Sequence, residues 1–393
     1  MARILEDELK KTLRHFPAAI LTGPRGAGKT SLLRHLFPKA SYVLVEDPDV
    51  IARVRSDPNG FLDDLKPPVI LDEIQNVPEL FGYIRSRIDL HPRRFGSWLI
   101  TGSQEASLMK GVAESMAGRA AMFHLLPFSV RETEKVTLFR GGFPEVLDRP
   151  AVADTWFRSY IHTYLERDVR AISSIRDLAT FRRFLALLAS RCGQILNKTD
   201  LAGPLGVSVP TISEWLRILE VTGQIILVPP FYENFGKRLV KSPKVYFVDS
   251  GLACHLLGIE TEKALKASVF LGPIFEGFVA SEIIKSQIHA GKAKALYYFR
   301  DQQGLEVDFL VPQGDNRLAL LEAKASRTPV PDMAKSILRL TKNIRQYAVA
   351  GYVVCRPSAS KAFRTLCPGV QVVAPDRLAD VIGSCPSARR QAG

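Results

Sequence analysis

Residues 23–30 read Gly23-Pro24-Arg25-Gly26-Ala27-Gly28-Lys29-Thr30, which fits Gly-x-x-x-x-Gly-Lys-[Ser/Thr], the pattern of a phosphate-binding loop. Its glycines let backbone N–H groups turn toward phosphate oxygens, Lys29 should reach the β- and γ-phosphates, and the Thr30 hydroxyl should bind Mg²⁺. The apolar run 17–22 predicts a buried strand before the loop, and 31–36 predicts a helix whose N-terminus favours anions. The predicted nucleotide-binding residues are Gly23, Pro24, Arg25, Gly26, Ala27, Gly28, Lys29, Thr30 and Ser31.

A second motif, Pro68-Val69-Ile70-Leu71-Asp72-Glu73, is an apolar strand that ends in two acids. Such a run is common in buried strands, but downstream of a phosphate-binding loop it indicates a nucleotide hydrolase. Asp72 should hold Mg²⁺, usually through water, and Glu73 should polarise the attacking water as a catalytic residue. The two motifs together predict a site for ATP and Mg²⁺ that hydrolyses the nucleoside triphosphate.

The first third of the chain alternates apolar strands with helical stretches, which predicts an α/β fold with a parallel sheet covered by helices. Ligands on such a sheet bind at the carboxyl ends of the strands, where both motifs lie. The predicted strands are 18–22, 42–46, 69–72, 97–101 and 122–126.

Two further polar positions could act on the γ-phosphate. Ser103, just after the fourth strand, is the first choice for a residue that contacts the γ-phosphate or the attacking water, and Thr101 is the second. An ordinary strand-to-loop turn is the other interpretation. Arg119, just before the fifth strand, could reach the nucleotide of a neighbouring subunit as an arginine finger, which would require a homo-oligomer. A solvated or intramolecular arginine fits the sequence equally well.

Charge and cysteine content narrow the class of protein. The 393-residue chain carries a formal charge of +13, which favours a polyanionic partner, with DNA ahead of an anionic membrane. The five scattered cysteines include no Cys-x-x-Cys pair, so they indicate neither a disulfide framework nor a zinc site. The sequence shows no signal peptide and no apolar run of membrane-spanning length, and we expect a cytoplasmic protein without membrane contact.

The middle of the chain has the sequence pattern of a helix-turn-helix. Residues 197–208 predict a short helix and a glycine turn, and Ser208 should cap a second helix over 209–221. Strands at 225–228 and 244–248 would form a wing, and the segment between them supplies cations for DNA phosphates. The alternative is a winged helix that only packs between domains. The cations are Lys237, Arg238, Lys241 and Lys244, and the residues expected in the core are Leu216, Ile218 and Leu219.

The last third holds a second set of chemical residues. Asp308 and then Glu322-x-Lys324, on neighbouring predicted strands, match the Asp…Glu-x-Lys arrangement of restriction-type nucleases, and strand alternation places Glu322 and Lys324 on one face. The carboxylates could hold Mg²⁺, with Glu276 from the preceding helix as a further ligand, and Lys324 could orient or deprotonate the attacking water. The alternative is a fold used for binding or assembly, in which Glu322 and Lys324 are only an ion pair.

The motifs at 23–30, 69–73, 99–103 and 118–132 resemble those of prokaryotic AAA-type ATPases, and 141–146 resembles the start of their helical lid. The C-terminal part is similar to an uncharacterised domain that is often fused to this ATPase, on the motifs 164–169, 237–244 and 247–252. The resemblance implies a P-loop NTPase sheet with a helical lid, followed by a winged helix and a restriction-endonuclease-like α/β domain. We predict boundaries at 1–132, 133–192, 193–250 and 265–385.

Three functions are compatible with these expectations. The first is a magnesium-dependent ATPase that couples hydrolysis to a DNA-binding, nuclease-like module. The second is a nucleotide-dependent switch or assembly protein with a nuclease-like domain that does not cleave. The third is a protein-remodelling ATPase whose basic surface is incidental.

Overall fold

The computed structural model of the chain describes residues 1–102, 115–165, 177–231, 242–356 and 364–383. Several residues named above lie outside these ranges, namely Ser103, Lys237, Arg238, Lys241 and Cys385.

The N-terminal third is a five-stranded, all-parallel sheet in the order β2-β3-β4-β1-β5. The predicted strands are present with small shifts. The fifth begins two residues earlier than expected, because Ala120 and Ala121 pair with Ala18 and Ala19 of the first. The strands are β1 (Ala18–Thr22), β2 (Ser41–Leu44), β3 (Val69–Asp72), β4 (Trp98–Thr101) and β5 (Ala120–His124).

Within residues 1–102 and 115–124, five helices accompany this sheet: α1 (Leu5–Thr12), α2 (Lys29–Leu36), α3 (Pro48–Ser56), α4 (Pro58–Asp63) and α5 (Leu80–Leu90). Side chains of β1, β3 and β4 are buried on both faces, which explains their continuous apolar sequence. The α/β character predicted for this region is therefore confirmed.

The middle region is mainly helical. Asn197 accepts the Thr199 N–H and Ser208 accepts the Thr211 N–H, so each caps a helix, and Gly206 between them has a φ of 66°. Leu216, Ile218 and Leu219 are buried, as expected. The helices are α6 (Pro144–Asp148), α7 (Ala153–Tyr160), α8 (Leu178–Ser190), α9 (Lys198–Leu205) and α10 (Val209–Val221); a π-helical turn (Ile161–Leu165) follows α7, and β6 (Ile225–Val228) pairs antiparallel with β7 (Lys244–Phe247).

The C-terminal region holds a six-stranded mixed sheet in the order β12-β13-β11-β10-β9-β8. Strand β10 pairs antiparallel with β9 and parallel with β11. The strands are β8 (Tyr297–Arg300), β9 (Glu306–Pro312), β10 (Arg317–Lys324), β11 (Ala348–Cys355), β12 (Arg364–Cys367) and β13 (Val370–Val373); the helices are α11 (Ser250–Leu256), α12 (Glu262–Ala267), α13 (Leu271–Ile288), α14 (Lys335–Asn343) and α15 (Leu378–Ile382).

Helix α13 is buried along most of its length and packs against β7 and β10. Its buried Lys285 donates to the Phe128 carbonyl at 3.0 Å and pairs with Glu282 at 3.0 Å. Glu282 in turn accepts the Val130 N–H at 3.0 Å. The segment that leaves β5 is thus fixed to the C-terminal region by buried polar contacts.

The Gly141-Gly142 turn is tied to the motif at 247–252 by one carboxylate. The Asp249 carboxylate accepts the Gly142 N–H at 2.7 Å and the Leu252 N–H at 3.0 Å. The same side chain therefore fixes the Gly141-Gly142 turn and caps the N-terminus of α11. A side chain at Gly142 would overlap the Phe128 carbonyl, which accounts for glycine there. Among the helices in the described ranges, none combines the length and apolar content needed to cross a membrane.

Candidate nucleotide site and C-terminal acid cluster

The loop between β1 and α2 has the backbone of an anion cradle. Gly23, Gly26 and Gly28 have φ values of 133°, 73° and 94°, a region that favours glycine. A methyl group at Gly23 would overlap the Leu125 carbonyl oxygen, so the backbone needs this glycine for close approach as well as for its torsion angle. The loop leads directly into α2, which begins without a side-chain cap, and a helix N-terminus favours anions.

The Lys29 side chain packs against the backbone of the nucleotide loop. Its Nζ donates to the Gly23 carbonyl at 2.8 Å and to the Pro24 carbonyl at 3.0 Å, and the residue is 6 % exposed. These carbonyls hold the ammonium beside the backbone that would surround phosphate.

Asp72 is the centre of a hydrogen-bond network at the end of β3. The Thr30 hydroxyl donates to its two carboxylate oxygens at 2.9 and 2.8 Å, the Tyr42 hydroxyl donates at 2.9 Å, and Thr101 also donates. Burial raises the pKa of Tyr42 to about 12, helped by its hydrogen bond to Asp72. The Thr30 hydroxyl and the Asp72 carboxylate are adjacent hard oxygen donors, so these residues fit a magnesium ion.

Glu73 has a φ of 60°, unusual for a residue other than glycine, and the turn around it holds this conformation. Its N–H donates to the Thr101 hydroxyl at 3.2 Å, and its carbonyl accepts the Asn76 amide at 2.9 Å. The Gln75 amide donates to its carboxylate. Because Ser103 lies outside the described residues, Thr101 is the polar residue that the structure shows at the end of β4, in contact with both acids.

Arg119 lies at the opposite end of the sheet from the nucleotide loop. It precedes β5, whose first residue pairs with Ala18, whereas the loop follows Thr22 at the far end of β1. Five residues of strand separate the two ends, about 16 Å at about 3.3 Å per residue. Within the chain, Arg119 forms a two-point ion pair with Asp89, with distances of 2.6 and 3.1 Å. Within a single chain, Arg119 is therefore an intramolecular ion-pair partner, as in the alternative to an arginine finger given above.

The C-terminal residues that were predicted to form one site lie close together in the structure. Asp308 accepts the Ala323 N–H of β10 at 2.9 Å, and Lys324 donates to Glu322 at 2.7 Å. Burial raises the pKa of Glu322 to about 8, and the Asp308 carboxylate adds to the rise. Burial likewise raises the pKa of Glu276 to about 7, again with a contribution from Asp308.

Lys244 was expected to face DNA phosphates, and this prediction is wrong. Its side chain is 2 % exposed, and its Nζ lies 2.9 Å from Glu276 Oε1, 2.5 Å from Glu306 Oε1 and 3.8 Å from Asp308 Oδ1. Burial alone would lower the pKa of Lys244, but these three carboxylates outweigh it and hold the pKa above its ordinary value. We refer to Glu276, Glu306 and Asp308 as the acid cluster.

Sequence reasoning missed Glu306 and Tyr246 at this place. The Tyr246 hydroxyl donates to Glu276 at 2.5 Å, and Glu306 stands two residues before Asp308 on β9. The period of two along a strand was the available signal, since it puts Glu306 beside Asp308 and Lys244 beside Tyr246.

No three acidic, histidine or cysteine side chains in the described ranges are placed to hold a metal ion. The predicted metal ligands Glu276, Asp308 and Glu322 therefore lie near one another without forming a ready ligand set, and a lysine ammonium lies between two of them. A metal at this position stays a prediction.

Two parts of the middle region lie close to the nucleotide loop. A methyl group at Gly26 would lie 3.3 Å from the Trp156 ring, and one at Gly28 would lie 3.6 Å from Pro144. Just after α10, a methyl group at Gly223 would lie 3.1 Å from Pro24. The nucleotide loop thus lies close to α6, α7 and the turn after α10.

Family comparisons divide the chain into three matched parts. An AAA domain matches residues 15–134, a domain of unknown function (DUF8612) matches 131–263, and another (DUF4143) matches 271–372. Uncharacterized protein Rv2008c of Mycobacterium tuberculosis is 32 % identical over 338 residues, covering 84 % of this chain and 74 % of that protein. The chain belongs to the same family as Rv2008c. Its N-terminal part is an AAA-type P-loop ATPase domain and its C-terminal part a DUF4143 domain.

More distant similarities extend beyond mycobacteria. Uncharacterized protein MJ1544 of Methanocaldococcus jannaschii is 24 % identical over 358 residues, covering 80 % of this chain and 76 % of that protein. Among solved structures, the Walker-type ATPase PABY2304 of Pyrococcus abyssi matches 64 % of this chain and 94 % of its own, at 16 % identity and a TM-score of 0.42. The RuvB Holliday junction branch migration motor of Thermotoga maritima matches 66 % of this chain and 93 % of its own, at 17 % identity and a TM-score of 0.30.

Proposed function

We propose that this protein binds and hydrolyses ATP with Mg²⁺ and works as a nucleotide-dependent switch. The observation that carries the proposal is the meeting of Lys29, Thr30, Asp72 and Glu73 at the carboxyl edge of a parallel sheet, next to a glycine loop with the backbone of an anion cradle. Hydrolysis at such a site needs positioning and charge stabilisation rather than covalent chemistry.

Each residue has a separate part in this mechanism. Lys29 exchanges the carbonyls of Gly23 and Pro24 for phosphate oxygens. Thr30 and Asp72 would hold Mg²⁺, which would neutralise charge on the phosphates when bound. Glu73 orients the attacking water, while Thr101 fixes the orientation of Glu73 through its N–H.

Arg119 supports a further proposal of assembly. An arginine at the far end of the sheet does not reach its own nucleotide, so a role in hydrolysis requires a neighbouring copy of the chain. We propose a homo-oligomer in which Arg119 exchanges Asp89 for the γ-phosphate of the adjacent subunit.

The contacts around the nucleotide loop favour a switch. Trp156 lies close to Gly26 and stacks on Tyr160, with ring centroids 4.9 Å apart, and Gln224 donates to the Tyr160 hydroxyl at 2.9 Å. A change in the loop on nucleotide binding is thereby passed to the turn between α10 and β6. We propose that this turn belongs to a winged helix and transmits the nucleotide state.

We propose DNA binding on the basis of the positive net charge of the chain. The net charge of +13 and the capped helices α9 and α10 support a winged helix that binds DNA. However, Lys244 is unavailable for this role, and the exposed face of α10 carries Glu214 and Glu220 beside Arg217. We therefore assign phosphate contact to Lys237, Arg238 and Lys241.

We propose that the DUF4143 domain has a nuclease-like fold and does not cleave in the form described. Antiparallel β9 and β10 with parallel β11, carrying Asp308 and Glu322-x-Lys324, support the fold. Lys244 in the acid cluster supports the absence of cleavage.

We place the protein in the cytoplasm, because the four cysteines within the described ranges are all free thiols.

Glu73→Gln tests the hydrolytic proposal. The variant keeps Asp72 and the loop, so ATP affinity should stay within about threefold of wild type, while turnover should fall by roughly 10²-fold or more, since charge and positioning carry this reaction. Calorimetric ATP titration and phosphate release measure the two effects. Loss of affinity with unchanged turnover per bound ATP would show that Glu73 does not act on the attacking water.

A further inference from the structure

The acid cluster surrounds one ammonium group that comes from a different part of the fold. Glu276 belongs to α13 and Glu306 and Asp308 to β9, whereas Lys244 begins β7, which pairs with β6 in the middle region. The Lys244 backbone is held from two sides, because it pairs with Val228 of β6 and forms a bridge to Ile195. The ammonium is therefore delivered by a fixed strand.

The three distances from Nζ are those of ion pairs rather than of metal coordination. They run from 2.5 to 3.8 Å, whereas Mg²⁺ takes oxygens at about 2.0–2.1 Å and Ca²⁺ at about 2.3–2.6 Å. Carboxylate oxygens from two elements converge on this one point, which is the donor chemistry that hard divalent cations prefer. An inward shift of about 0.4–1.8 Å per carboxylate would bring these oxygens to the coordination distance of Mg²⁺.

Burial makes the cation indispensable here. The side chains of Lys244, Glu276 and Asp308 are 2 %, 17 % and 12 % exposed, so loss of the ammonium leaves the Glu276 and Asp308 carboxylates facing one another largely away from water. Lys324 differs, because its side chain is 38 % exposed and pairs at 2.7 Å with Glu322. Lys244, not Lys324, is the cation that contacts Glu276, and it shares Glu306 with Arg300, whose Nη1 lies 3.3 Å from Glu306 Oε2.

We propose that Lys244 fills a divalent-metal position among Glu276, Glu306 and Asp308, and that removing its ammonium opens this position to a hard divalent cation. The inference rests on the nuclease-like assignment of the domain. In the described arrangement the Lys244 ammonium takes the place that a divalent cation would fill.

Manganese titration of the full-length chain, followed by electron paramagnetic resonance without nucleotide, tests this proposal. Wild type should show no Mn²⁺ site that depends on Asp308. Lys244→Met should gain one Mn²⁺ per chain, bound at least tenfold more tightly than by wild type, and Asp308→Asn in the Lys244→Met background should remove it. Lys294→Met is the matched control, because it breaks an ion pair to Glu220 elsewhere and should gain nothing.

Three results would overturn the proposal. One is an Asp308-dependent Mn²⁺ site already present in wild type. Another is a folded Lys244→Met chain that gains no site, and the third is a Lys244→Met chain that stays unfolded when Mn²⁺ is added. A chain that folds only with Mn²⁺ supports it. ATP hydrolysis by the Lys244→Met chain reports separately on the nucleotide site, so failure of one proposal is distinguishable from failure of the other.

Discussion

Replacing Glu322 by glutamine should make the C-terminal domain more stable at alkaline pH and leave it nearly unchanged at pH 5. The carboxyl is buried at 4 % exposure, and its pKa is raised from 4.5 to about 8. A raised pKa means that the folded state binds a proton which the unfolded state has released between pH 4.5 and 8. The stability associated with the protonated carboxyl is therefore full below pH 4.5 and is lost as the pH rises through 8.

The size of the effect follows from that difference. At about 1.36 kcal/mol per pKa unit, a rise from 4.5 to about 8 corresponds to about 5 kcal/mol across this range. Glutamine keeps the shape of the protonated acid and does not titrate, so it should avoid this loss. Its advantage over wild type should grow from near zero at pH 5 to several kcal/mol at pH 9.

Urea unfolding of both proteins at pH 5, 7 and 9 with EDTA, read on the transition of the C-terminal domain, measures this difference. Glu134→Gln, at an exposed position, is the control and should show no such dependence on pH. A difference between Glu322→Gln and wild type that stays constant from pH 5 to 9 would refute the reasoning.

Two further predictions concern assembly and DNA. Arg119→Ala and Lys29→Ala chains should each be inactive and should recover ATPase activity when mixed, because an arginine finger contributes about 10³–10⁵ in kcat and can be supplied by the partner; turnover that is independent of concentration, without recovery, would contradict assembly. Replacing Lys237, Arg238 and Lys241 together by alanine should lower the slope of log K against log[salt] for duplex DNA by roughly 2 to 3. A Lys10→Ala, Lys11→Ala control should leave the slope unchanged, and an unaltered slope in the triple variant would remove these cations from the DNA contact.

The nucleotide site was predictable because its residues are local. A glycine loop between a strand and a helix, and two acids at a strand end, specify their own geometry within a few residues. The role of Tyr42 was not visible, since its hydrogen bond to Asp72 depends on the adjacency of β2 and β3 in the sheet. Thr101 contacts both Asp72 and Glu73 because β3 and β4 are neighbours, an order that the alternation of elements does not determine.

The misassignment of Lys244 has a related cause. In the sequence it follows three cations and suggests a solvated basic segment, but it is the first residue of β7 and its side chain points into the acid cluster. Its partners are 32 to 64 residues away, so nothing local indicates them. Convergence of Asp308, Glu322 and Lys324 was predictable from strand alternation, whereas the cation at their edge depended on how the middle region packs.

ATP binding by Lys29→Ala, compared with wild type, tests the central claim most directly. The side chain contacts the carbonyls of Gly23 and Pro24 and is needed for phosphate charge, so its loss should leave the fold intact and abolish ATP binding and turnover. Calorimetric titration with ATP and Mg²⁺, alongside thermal unfolding to verify the fold, should give one site in wild type and none in the variant. A folded Lys29→Ala protein that binds and hydrolyses ATP as wild type does would contradict the account.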